Sequence, residues 1–126
     1  MGDMSPHAHI EASKIGEWNE FERAFLYAVE EGLRSVLGET ATAIIFLHLE
    51  RDHGLKRDVL HRNVEEFSAD LTGLLGSGAP LLEGLIIKLL CSRLQSEYDV
   101  KPEFGFADHV EGLRERFGGE RLTEKG

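Results

Sequence analysis

Apolar residues recur at helical spacing through most of this chain, and one stretch commits more of them than any other. From Ala79 to Glu97, Leu82, Ile86, Ile87, Leu89, Leu90, Cys91 and Leu94 cover more than half of a helix circumference at about 100° per residue. Gly84, Lys88, Ser92, Gln95 and Ser96 hold the remainder. A helix of this kind needs cover on two or three sides, and the other segments read as that cover. Asn19 followed by Glu22 is a capping box that opens a first helix running to about Leu37. Its inward arc is Trp18, Phe21, Phe25, Ala28, Val29, Gly32, Leu33 and Val36. Ala28 and Gly32, four apart on that arc, suit the close approach of another helix.

Gly38 closes the first helix and Thr40 is placed to cap a second, Ala41 to about His53, which stops at Gly54. Ile44, Ile45, Phe46, Leu47 and Leu49 point around nearly its whole circumference, so the pattern predicts a second buried helix. Residues 54–62 lack a period and read as a loop with Leu55, Val59 and Leu60 turned inward. Asn63 and Glu66 form a second capping box before a stripe of Val64, Phe67, Leu71, Leu74 and Leu75, which ends at Gly76. Pro80 suits the first turn of the organising helix, and Pro102 forbids its continuation. A last helix, Phe106 to Phe117, carries the narrow seam Phe106, Val110, Leu113 and Phe117. The expectation is an all-α, compact bundle of about five helices with two buried central ones. It spans residues 17–117, between flexible tails at 1–16 and 118–126.

Charge and composition narrow the function classes. A net charge of −9, spread along all 126 residues, argues against binding a phosphate backbone, so no nucleic acid partner is expected. The longest nearly charge-free apolar run, Ala41 to Leu49, has nine residues against the roughly 20 a membrane span requires, so no membrane role is expected either. The single Cys91 lies on the apolar arc of the organising helix, where a thiol acts as a small hydrophobe. A reducing cytoplasm is the expected setting.

The most chemically suggestive pair is His48 and Asp52, one helical turn apart, an arrangement able to orient an imidazole for proton transfer; its plainer reading is a structural hydrogen bond. Glu50 and His53 have the spacing of a di-iron half-site, yet the sequence holds one copy where such sites need two. His53, His61 and His109 are scattered without cysteines and read as solvated, and no metal or other cofactor is expected. GLLGSG joins two helices and lacks the lysine of a phosphate loop. Glu83 and Arg93 fall inside the apolar arc near its two ends, where they reach solvent or pair at a subunit interface.

A family resemblance accompanies these readings. The first helix ending Val36-Leu37-Gly38-Glu39, a later helix bearing Phe67 and Leu71, and Leu74-Leu75-Gly76-Ser77-Gly78-Ala79 running into an apolar helix resemble the archaeal "Nitrosopumilus output domain" family over about residues 21–98. The resemblance implies a small helical output or sensing module in signal transduction, with a separate signalling partner and no catalytic residue. From the residues themselves, the surplus of apolar surface on Trp18, Phe21, Phe104, Phe106, Val110, Leu113 and Phe117 marks a candidate interaction surface, and with it a non-enzymatic regulatory module acting as a homodimer. Two alternatives stand beside it: a metal-dependent or acid-base enzyme using His48, Glu50, Asp52 and His53, and a small-ligand sensor with a pocket lined by Ile45, Leu49 and Ile86.

Overall fold

A computed structural model describes residues 18–97 and 105–117. Among them are four α-helices and no strands: α1 (Glu20–His53), α2 (Val64–Leu75), α3 (Ala79–Arg93) and α4 (Phe106–Phe117). The protein is therefore all-α, with four helices where the sequence pattern predicts five. The difference lies at Gly38, where the predicted end of the first helix is a kink within one helical run: its φ of 87° and ψ of 170°, a region open essentially to glycine alone, divide α1 into two helical arms.

The break is sharp. Arg57 donates to Glu30 Oε2 at 2.9 Å from the first arm, while its guanidinium carbon lies 4.2 Å from the ring centre of Phe46 on the second. Sixteen residues of straight helix would separate Glu30 and Phe46 by about 24 Å, so the second arm must fold back beside the first. Thr42 Oγ1 donates to the Gly38 carbonyl at 2.7 Å, tying the start of the second arm to the break. At the other end of α1 the predicted capping box is present. Asn19 Oδ1 accepts from the Glu22 amide at 2.8 Å, and Glu22 Oε1 from the Asn19 amide at 3.1 Å.

The segment read as a loop contains a 3-10 turn, Arg57–Arg62, that buries Leu60 and His61. This turn also removes the second predicted capping box. Asn63 closes the turn, its amide bonding to the Leu60 carbonyl and its side-chain Nδ2 to the Val59 carbonyl at 2.8 Å, so its side chain makes no cap for α2.

A second 3-10 turn, Gly76–Gly78, joins α2 to α3, and the chain reverses there through Gly76 at φ 58°, ψ −129°. Taken as one run, Val64–Arg93 is long and apolar enough to cross a membrane, with a window of mean hydropathy 1.6, longer than the nine-residue run that composition alone singles out. Here it is folded on itself. Ser68 Oγ donates to Glu83 Oε2 at 2.5 Å, whereas fifteen residues of straight helix would hold them about 22 Å apart. The organising helix stops at Arg93, four residues before its predicted end, because Gln95 takes a left-handed φ of 57° and the Ser96 amide turns back to the Cys91 carbonyl at 2.8 Å.

All four helices contribute to one core. Phe21, Phe25 and Leu33 from the first arm, Leu49 from the second, Phe67 and Leu71 from α2, Ile86 and Leu90 from α3, and Val110 from α4 are fully buried. The close approach predicted at Gly32 is realised, since a Cβ there would lie 2.9 Å from Ile86 Cγ1.

Candidate functional site

Most of the predicted interaction surface lies in the interior. Trp18, Phe21, Phe106, Val110 and Leu113 are all buried within the single chain, and Phe117 is half-buried against the same core. Phe104 lies outside the described residues. The seam of α4 is narrow because it slots against α2 and α3, with the Phe67 and Phe106 rings 6.3 Å apart. The buried aromatics among them serve the core of the single chain.

The exposed aliphatic side chains are elsewhere, and all but Leu81 stand at positions the helical wheel assigns to the interior. Leu81 is 80 % exposed, Ile44 59 %, Val36 57 % and Leu47 51 %, and Leu74 also faces solvent. Ile44 and Leu47 are exposed because the second arm is covered on one side only, through Thr42, Ile45, Phe46 and Leu49. Leu74 and Leu81 flank the α2–α3 turn, in a stretch from Leu71 to Leu82 that contains no charged residue.

A polar cluster forms where the end of α1 meets α2. His48 Nδ1 lies 2.7 Å from Asp52 Oδ2, and His53 Nδ1 lies 3.3 Å from Asp70 Oδ1. The two imidazoles meet edge to face with centroids 5.2 Å apart. Three of these four residues are among those named from sequence. Asp70 was not, because it comes from a different helix and no local spacing connects it to His53. Its side chain is only 14 % exposed, and its Oδ2 is buried without a hydrogen-bond partner. Glu50, the remaining member of the predicted set, is exposed and is not among the side chains paired there. No group of three or more His, Cys, Asp or Glu side chains among the described residues is arranged to hold a metal ion. Among the described residues, the di-iron spacing of Glu50 and His53 is not joined by further ligands into such a centre.

His61, read from sequence as solvated, is 2 % exposed. Its ring packs edge-on against Trp18 with centroids 4.9 Å apart, and Glu22 Oε2 is 3.9 Å from Nδ1. Burial holds its pKa below the usual imidazole value; Arg62 and Arg114 add to the shift, while Glu22 and a hydrogen bond with the Asp58 backbone oppose it. The turn that carries it is tied to α4 by Arg114, which donates to the His61 carbonyl. Beside it, a cleft of about 410 Å³ opens between the start of α2 and α4, lined by charges of both signs: Arg62, Glu65, Glu66, Asp108, Glu111 and Arg114. A smaller cleft of about 190 Å³ lies near the α1 break against Arg34, Thr42, Phe46 and Arg57. Ile45, Leu49 and Ile86, the proposed lining of a ligand pocket, belong to the packed core instead.

The remaining candidates are structural. Burial raises the Cys91 thiol pKa, with Arg116 opposing, which keeps it protonated and a poor nucleophile. Glu83 is also raised by burial, against the hydrogen bond from Ser68, and Arg93 stacks over Tyr27 at 3.9 Å. Both ends of the organising helix thus resolve their charges within the chain. Comparison with protein families, curated proteins and solved structures returns no match.

Proposed function

We propose that this protein is a non-enzymatic interaction module that associates with a second copy of itself through the α2–α3 turn. The observation that carries the reading is Leu81, 80 % exposed at a helix start in a twelve-residue stretch, Leu71 to Leu82, free of charge. Leu74 is exposed on the other side of the same turn. Each copy carries a net charge of −9, so two copies repel over most of their surfaces, and a neutral apolar tip is where they meet with least opposition. The regulatory, signal-output role implied by the family resemblance fits such an assembly, with signalling read through the state of the pair.

The experiment is sedimentation velocity on the full chain and on Leu81→Glu. The reading expects self-association that the substitution weakens at least tenfold while far-ultraviolet circular dichroism is unchanged. Equal association by both proteins would refute the assigned surface.

A further inference from the structure

We propose that His48 and His53 form a two-imidazole chelate for a divalent transition metal ion such as zinc, with Asp52 and Asp70 as the groups that position them. In protein metal sites a ligating imidazole generally gives its second ring N–H to a carboxylate, a backbone carbonyl or water, which fixes the tautomer and orients the ring. Here each imidazole has a carboxylate beside its Nδ1. His48 Nδ1 lies 2.7 Å from Asp52 Oδ2 and His53 Nδ1 3.3 Å from Asp70 Oδ1, within ion-pair distance, which leaves Nε2 as the free donor on each ring. Asp52 is on the same helix as His48, whereas Asp70 belongs to α2, so the two carboxylate clips arise independently.

The ring separation fits a shared ion. With metal–nitrogen bonds of about 2.0–2.1 Å and a tetrahedral angle, two imidazoles on one metal have centroids about 5 Å apart. The observed separation is 5.2 Å. Both rings are partly exposed, so an ion arriving from water reaches them. Asp70 Oδ2, buried and unbonded, leaves an excess of negative character behind the pair that a dication relieves. No third protein ligand is in place among the described residues, so water completes the coordination. Imidazole donors favour zinc, copper and nickel over magnesium or calcium.

The test is a zinc titration of the full chain followed by long-range imidazole ¹H–¹⁵N spectra, which separate Nε2 from Nδ1 coordination and resolve each histidine. The expected result is that Nε2 of His48 and His53 shift together and saturate at one equivalent. His48→Gln or His53→Gln should each weaken that event by at least about tenfold. Asp70→Asn should weaken it by roughly 10-fold to 100-fold while leaving Nε2 as the donor, the size typical of lost carboxylate support. Responses confined to His7 and His9, different midpoints for His48 and His53, or coordination through Nδ1 would each overturn the proposal.

Discussion

A Cβ placed on Gly32 would lie 2.9 Å from Ile86 Cγ1, so α1 and α3 are in contact at a point where even a methyl group has no room. Ile86 is fully buried and cannot swing aside. Gly32→Ala gains about 1 kcal/mol of helix propensity but forces an overpacking cost of about 1–3 kcal/mol, and we expect net destabilisation. A double-mutant cycle with Ile86→Ala by urea denaturation checks the cause. The double variant should be more stable than the sum of the single effects; simple additivity would exclude the contact as the source.

Gly38 raises a different constraint. Nothing lies within 4 Å of a Cβ built there, so Gly38→Ala meets no clash, yet its φ of 87° and ψ of 170° disfavour any side chain. The expected loss is about 1–3 kcal/mol. Gly73 in α2 is equally open but ordinary in backbone, and Gly73→Ala should stabilise by up to about 1 kcal/mol. Thermal unfolding of the two variants side by side should show shifts of opposite sign.

How much of this could be read in the sequence follows from the range over which each interaction acts. The Asn19 and Glu22 capping box is a three-residue relation and appears as predicted, whereas Asn63 has the same local signature but is drawn into the preceding 3-10 turn. Apolar periodicity located the helices but not their covered sides. It placed Ile44 and Leu47 inside and gave Trp18, Phe21 and Phe106 a surface role, because a helical wheel shows how much of a helix is apolar without showing how many neighbours it has. His48 and Asp52 are one turn apart and legible; Asp70 joins them only because the fold brings its side chain from α2 to His53 at the end of α1. His61 was missed for a related reason, since the turn that buries it has no period of its own.

The burial of His61 gives stability a pH dependence of defined sign. Its folded pKa is lowered from 6.5, first by desolvation, so the unfolded chain takes up a proton before the folded one does. Stability attributable to this group is present above about pH 6.5 and falls as pH drops below it, until the folded pKa is reached. Urea midpoints at pH 7.5 and pH 5.5 should therefore fall further for the wild type than for His61→Phe. Trp18, the only tryptophan and in contact with the ring, supplies the fluorescence signal. An equal fall in both proteins would assign the acid sensitivity to other groups.

Self-association through a neutral tip should respond to salt in a particular direction. Because each copy carries a net charge of −9, screening weakens the repulsion between copies while leaving apolar contact intact. Raising ionic strength from about 0.01 M to about 0.15 M, where the Debye length falls from about 30 Å to about 8 Å, should tighten association. An assembly held by ion pairs would loosen instead.

The solution mass by light scattering on a sizing column, across about a hundredfold dilution, tests the central claim most directly. The account predicts a species of twice 14.1 kDa at the highest concentrations that dissociates on dilution, and that Leu81→Glu shifts toward the single chain. A mass of 14.1 kDa at every concentration and at both ionic strengths would contradict it.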